Sequence, residues 1–155
     1  MTDQGQTGIS SEEVLKWVAV QACKDVVLSF MGLFDMRVWA EMERYVMPDI
    51  EWQRPDVTIR GVAQLRETLH ATPDNVRVRH VITNLRATFN SAGGITIDSY
   101  FTVYRLVGTT ADMGVAVPFD GPVSVGRYRD ELVRIDGAWR IARKETTVDF
   151  RRNQA

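Results

Sequence analysis

The chain has 155 residues, 45% of them hydrophobic and 25% charged, and its formal net charge at pH 7 is -1. This length suits one domain with its own core, and the near-neutral charge argues against a nucleic-acid or anionic-membrane partner. We expect a single domain over residues 11–150, with flexible ends at residues 1–10 and 151–155.

Membrane spans, signal peptides and cysteine pairs in a sequence limit where the protein is located and what holds it together. No apolar run approaches the roughly 20 residues that span a bilayer, and the first ten residues lack the basic start and apolar core of a signal peptide. We therefore expect a cytoplasmic protein. A lone cysteine, Cys23, excludes an internal disulfide and a cysteine-held metal, and we interpret it as a small buried hydrophobic residue.

The first predicted element is a long helix. Ser10 and Glu13 have the spacing of a capping box, and apolar residues then recur at steps of three or four. This pattern predicts an amphipathic helix over about residues 11–34.

Two shorter helices follow. Asp35 is placed to cap a second helix that ends at Pro48, and the stretch IEWQRPDVTIRG then has the character of two short extended segments. A third helix is predicted to begin at Gly61 and to end before Pro73.

After residue 75 the pattern changes to four long β-type runs. They are residues 76–90, 95–107, 125–135 and 138–150. The first two flank SAGG and the last two flank Asp136 and Gly137, a strong hairpin signal. Residues 108–123 are rich in small residues and predict a mobile flap. Helices followed by antiparallel strands define an α+β fold, with the helices on one face of a curved sheet.

The first candidate for chemistry is His80, which lies in the middle of a strand pattern. Alternation places it on one face with Val78, Ile82 and Asn84. An imidazole can exchange a proton near neutral pH, and a polar pair in an otherwise apolar concave face resembles a small-molecule site. A hydrogen-bonded structural histidine is the alternative.

A catalytic histidine needs a partner that fixes its tautomer, and a carboxylate would do so. Asp35 lies between two predicted helices and could project toward the sheet. The other carboxylates that could reach His80 are Asp49, Glu51, Asp98 and Asp130. Motifs for phosphate loops, zinc sites and serine hydrolases are absent from the sequence.

The order of these parts resembles a known family. The stretches LFDMRVWAEMERYVMPDIEWQRP, RHVITNLRATF, DSYFTVYRL and GRYRDELVRIDGAWRIARKE are similar to the SnoaL-like branch of the nuclear transport factor 2 superfamily, over roughly residues 12–150. The resemblance implies a cone-shaped, strongly curved and mainly antiparallel sheet, with three N-terminal helices closing a pocket. It also implies a homodimer or homotrimer.

Within this superfamily the chain resembles the scytalone dehydratase and hexachlorocyclohexane dehydrochlorinase group. Asp35 and His80 fall at the two motif positions of that group's catalytic pair. The resemblance implies no cofactor and no metal. The residues expected to line the substrate pocket are Trp39, Trp52, Asn84, Phe101 and Tyr128. Phe34 and Trp52 stand where scytalone dehydratase has tyrosines, so scytalone itself is not the expected substrate.

The function implied is a cofactor-independent lyase, which eliminates water from a small hydrophobic carbonyl or polycyclic substrate. The same two residues could instead run an isomerisation or a ring closure. A third alternative is non-catalytic, because the β subunits of aromatic-ring dioxygenases share this cone and pack against an iron-bearing subunit. Simple ligand binding in the cone is a fourth.

Overall fold

The computed structural model describes residues 8–109 and 115–153. The helices are α1 (Ser11–Met36), α2 (Trp39–Met42) and α3 (Gly61–His70), with a single 3-10 turn at Glu43–Tyr45. The strands are β1 (Val46–Gln53), β2 (Thr58–Arg60), β3 (Val76–Phe89), β4 (Ile95–Val107), β5 (Ser124–Ile135) and β6 (Ala138–Arg151). They form one six-stranded sheet in the order β2-β1-β6-β5-β4-β3, which confirms the α+β prediction.

The long first helix begins as predicted and ends later. Ser10 and Glu13 form the capping box reciprocally. At the other end Arg37 adopts a left-handed conformation with φ 61°, and its N–H donates to the carbonyls of Leu33 and Phe34. The prediction that Asp35 caps a second helix was therefore wrong, because Asp35 belongs to the last turn of α1.

One side of α1 packs on the sheet. Val27, Phe30 and Met31 are buried in one cluster with sheet residues such as Ile97 and Leu132. Fully burying each such side chain contributes about 1.5–3 kcal/mol, so this contact fixes the helix on the sheet.

The length and composition of α1 are also those of a helix that could cross a membrane. The sequence predicted no helix of this kind. Core helices of soluble proteins can have the same length and composition, so the cytoplasmic location stays a prediction. The expected homodimer or homotrimer also stays a prediction.

The two predicted hairpins are present. β3 pairs with β4 and β5 with β6, both antiparallel, and Asp136 and Gly137 turn the second hairpin with φ of 51° and 80°. β1 pairs antiparallel with β2 but parallel with β6, so the sheet is mixed. Pro48 lies inside β1 and not at a helix end, at an interruption of the register with β6 where its missing N–H is tolerated.

β-Bulges in β3 and β6 control which residues face the helices. In β3 the register shifts between Thr83 and Arg86, and Asn84 has a positive φ of 55°. In β6 the register with β5 shifts between Ile141 and Arg143 and again between Val148 and Phe150. Each bulge reverses the alternation of inner and outer residues beyond it.

The predicted flap at residues 108–123 is described only at its two ends, since residues 110–114 lie outside the described part of the chain. The Gly108 N–H donates to the carbonyl of Asn75, and the Val123 N–H donates to that of Val103. Both ends are therefore attached to the sheet region, and the mobility of the segment stays a prediction.

Cys23 offers a test of the core. The side chain is fully buried, and this burial raises the pKa of its thiol to about 12. We expect it to be unreactive toward an aromatic disulfide reagent at pH 8 and to react at once after unfolding in urea. Stoichiometric reaction of the folded protein within minutes would contradict the packing of α1.

Candidate functional site

Arg37 fixes the end of α1 against the turn that leads into β3. Its guanidinium donates to the carbonyl oxygens of Thr72 at 2.8 Å, Pro73 at 2.9 Å and Val76 at 3.2 Å, and to Asp74 at 3.1 Å. Five donors in a rigid fork allow one side chain to satisfy several carbonyls at once. The last turn of α1, which carries Asp35, is thereby held beside the start of β3.

Both carboxylate oxygens of Asp35 contact the same residue, His80. Oδ2 accepts the backbone N–H of His80 at 2.6 Å, and Oδ1 lies 2.6 Å from His80 Nδ1. Arg79 Nη1 also donates to the Asp35 carbonyl at 2.8 Å. β3 is an edge strand, so its outward N–H is free to bind a side chain. Of the five carboxylates considered from the sequence, Asp35 is the one placed on His80.

The contact with Asp35 determines how the imidazole can act. The Asp35 carboxylate accepts from Nδ1–H, which leaves Nε2 as the unprotonated nitrogen of the neutral ring. No described residue hydrogen-bonds Nε2. The two side chains are 8% and 10% exposed, so the interaction is shielded from bulk water.

A cavity of about 630 Å³, the main cavity, lies on the inner face of the sheet and is lined by His80. Its walls are mostly apolar and include Phe34, whose ring meets the imidazole edge-on at 5.4 Å. Since Nδ1 is engaged by Asp35, Nε2 is the ring nitrogen available to a molecule in this cavity.

Three of the five predicted pocket residues line the main cavity. They are Trp52, Phe101 and Tyr128. The Trp52 indole donates to Thr146 Oγ1 at 2.9 Å, which fixes its ring plane. The Phe101 and Tyr128 rings pack together with centroids 4.4 Å apart. The cavity can therefore hold a flat hydrophobic molecule beside His80.

Trp39 was wrongly placed in this pocket. It lies beneath the Arg37 guanidinium at 4.6 Å and against the His70 ring at 5.1 Å. It lines a smaller cavity of about 350 Å³ on the Asp35 side, because α2 begins only after the turn at Arg37. Trp39 therefore packs against Arg37, the residue that holds the end of α1 to the turn before β3.

Asn84 was also wrongly placed. The bulge in β3 sets Asn84 and Leu85 together opposite Ser99, so the alternation that aligned Asn84 with His80 is broken. Leu85 faces the core in its place, and Asn84 is exposed. It borders a groove of about 710 Å³ on the outer face, where Arg129 pairs with Asp98.

A buried ion pair lies beneath the main cavity and was not predicted. Lys144 Nζ contacts both oxygens of Asp130 at 3.0 and 3.1 Å and lies 3.7 Å from the centroid of the Tyr128 ring. Burial lowers the pKa of Lys144 and raises that of Asp130, and the mutual attraction opposes both shifts. Regular alternation from the buried Ile141 would turn Arg143 toward the core. The β6 bulge after Ile141 turns Lys144 toward the core instead.

Tyr128 adds a polar group to an apolar wall. Burial is the main cause that raises the pKa of its hydroxyl, so the group stays neutral over the physiological range. In the described part of the chain it has no hydrogen-bond partner. It can therefore donate to a bound oxygen.

No cluster of three His, Cys, Asp or Glu side chains that could bind a metal occurs among the described residues.

Fold and site together define an α+β domain of the nuclear transport factor 2 type, with a buried Asp and His pair at a pocket. The chain belongs to the SnoaL-like domain family, whose model matches residues 18–145. A comparison with curated proteins finds no match.

Solved structures show the same fold. A proposed scytalone dehydratase from Novosphingobium aromaticivorans DSM 12444 superposes with a TM-score of 0.73 at 20% identity, over 90% of each chain. A hexachlorocyclohexane dehydrochlorinase (LinA) Type2 gives 0.68 at 16% identity, over 93% of this chain and 92% of that one. A proposed aromatic ring hydroxylase from N. aromaticivorans gives 0.70 at 18%, over 86% and 91%.

The buried pair generates a stability prediction. Lys144→Met leaves Asp130 buried without its partner, which should lower the free energy of unfolding by about 3–5 kcal/mol in urea titrations. Because burial raises the pKa of Asp130, the variant should also lose stability as pH rises from 4 to 7, where the unfolded carboxyl ionises first.

The matched control is the double variant Asp130→Leu/Lys144→Met, which removes both charges. It should recover most of the loss, since no uncompensated charge remains. A single variant as stable as the parent would show that the pair is not buried as described.

Proposed function

We propose that the protein is a cofactor-independent lyase that eliminates water from a small hydrophobic carbonyl compound, with Asp35 and His80 as its catalytic pair. The observation that carries the proposal is the 2.6 Å contact between Asp35 Oδ1 and His80 Nδ1, with the same ring lining an apolar cavity. This contact leaves Nε2 as the ring nitrogen that can act as a base on a molecule bound there.

In the proposed reaction, His80 Nε2 removes a proton from a carbon next to the substrate carbonyl. The imidazolium that forms is stabilised by the Asp35 carboxylate, which accepts from Nδ1–H. The imidazolium then returns the proton to the departing hydroxyl, so the C–O bond breaks and water leaves. One residue serves first as base and then as acid.

Tyr128 is the proposed donor to the carbonyl oxygen. Negative charge develops on that oxygen as the proton is removed, and a neutral hydroxyl in an apolar wall stabilises it more effectively than water would. The Tyr128 ring lies 6.5 Å from the imidazole, so one small molecule can contact both.

The names of the structural neighbours agree with elimination, because dehydratases remove water and a dehydrochlorinase removes hydrogen chloride. Isomerisation and ring closure would begin with the same proton removal. The role of a non-catalytic subunit gives no reason for a free Nε2 at an apolar cavity, so we favour an enzyme.

A cyclic β-hydroxy ketone provides the test. With 3-hydroxy-1-tetralone as probe, elimination yields 1-naphthol, whose fluorescence reports the rate. We expect His80→Gln to lower kcat/KM about 10²- to 10⁴-fold and Asp35→Asn about 10²-fold, with melting temperatures measured in parallel.

The other histidine supplies the control. His70 is exposed and does not line the main cavity, so His70→Gln should keep the parent rate. Full activity in His80→Gln would overturn the proposal. A probe that is rearranged without loss of water, as judged by mass spectrometry, would replace the lyase by an isomerase.

A further inference from the structure

Three arginines from separate parts of the sheet line the main cavity. They are Arg54 after β1, Arg105 on β4 and Arg151 at the end of β6, and we name them the basic rim. We propose that the substrate carries a carboxylate, which the basic rim binds while the hydrophobic body reaches His80. This inference rests on the proposed function, whose substrate class it specifies.

The charges at the cavity are unbalanced. Among its described lining residues Asp56 is the one carboxylate, and it lies 3.5 Å from Arg54. Neither Arg105 nor Arg151 has a carboxylate within 4.0 Å in the described part of the chain. Asp35, the nearby acid of the pair, is engaged by His80.

Two arginines on the outer face of the same sheet are instead paired with carboxylates. There Arg127 donates to Asp149 at 2.9 Å and Arg129 lies 3.4 Å from Asp98. These two outer-face arginines are thus paired within the chain. The two at the cavity mouth keep their donors free for a bound anion.

The register of the sheet relates the basic rim to His80. His80 pairs with Val103, Val103 with Ser124, and Ser124 with Arg151, so these four residues form one row across β3, β4, β5 and β6. All four line the main cavity. At about 4.8 Å per strand, the ends of the row lie on the order of 14 Å apart along the sheet.

Arg105 lies near the same row. It follows Val103 by two residues on the same face of β4, which is about 7 Å along the strand. An arginine side chain that extends toward His80 shortens both distances. A flat bicyclic acid could therefore place its carboxylate between Arg105 and Arg151 and its far ring at His80.

The basic rim and the apolar cavity walls together favour a ligand with one carboxylate and a hydrophobic body. A guanidinium binds a planar carboxylate through two parallel N–H donors, whereas the walls between the basic rim and His80 are mostly apolar. An uncharged ligand would leave the rim donors to water. A doubly charged ligand without an apolar body would leave the walls unused.

Binding of 2-naphthoate and 2-naphthamide, measured by calorimetry at low salt, tests the inference. The two molecules share a ring system and differ in charge. The parent protein should bind the acid about 10-fold more tightly than the amide. In the double variant Arg105→Gln/Arg151→Gln the preference should fall below about 2-fold. Both side chains are exposed, so the fold should tolerate the change.

Arg134→Gln is the matched control, because Arg134 is an exposed arginine of β5 that does not line the main cavity. It should keep the full preference for the acid. Equal binding of acid and amide by the parent, or a preference that survives in the double variant, would overturn the inference.

His80→Gln separates this inference from the proposed function. Its preference for 2-naphthoate should persist, since binding at the basic rim needs no proton transfer. Loss of tetralone elimination with a retained preference supports both proposals. Elimination that survives in His80→Gln, with the preference intact, removes the lyase mechanism and leaves the anion site standing.

Discussion

The site depends on one carboxylate that binds both the backbone and the side chain of the same residue. Asp35 accepts the His80 N–H and the His80 ring, so the last turn of α1 and the edge strand β3 are joined at a single point. The backbone N–H of His80 is available because β3 is the edge strand of the sheet that the described residues form. The same interaction protects the sheet edge and fixes the tautomer of the imidazole.

The remaining parts of the molecule maintain this geometry. Arg37 holds the end of α1 to the turn before β3, and the α1 core contacts prevent the helix from sliding. Beneath the main cavity, the pair of Lys144 and Asp130 supports the Tyr128 ring with a charge that is neutralised inside the core. The result is an apolar cavity with a base at one end and free guanidinium groups at its mouth.

Much of this could be predicted from the sequence, and the failures have definite physical causes. Helices, hairpins and the α+β class follow from local periodicity and turn residues, which act over a few positions. Asn84 was misjudged, and the inward position of Lys144 was not predicted, because bulges reverse the alternation of a strand and have no reliable local signal. Trp39 was misjudged because the left-handed Arg37 moves α2 off the pocket wall. The partner of His80 came from family resemblance, since no spacing rule links residues 45 positions apart.

The central claim is that Asp35 holds His80 with Nδ1 protonated and Nε2 free for proton transfer. Nitrogen-15 NMR of the imidazole tests it directly at neutral pH. We predict a single Nδ1–H tautomer with a strongly deshielded proton, which Asp35→Asn abolishes while His70→Gln leaves it unchanged. An Nε2–H tautomer, or a His80 signal that does not respond to Asp35→Asn, would contradict the account.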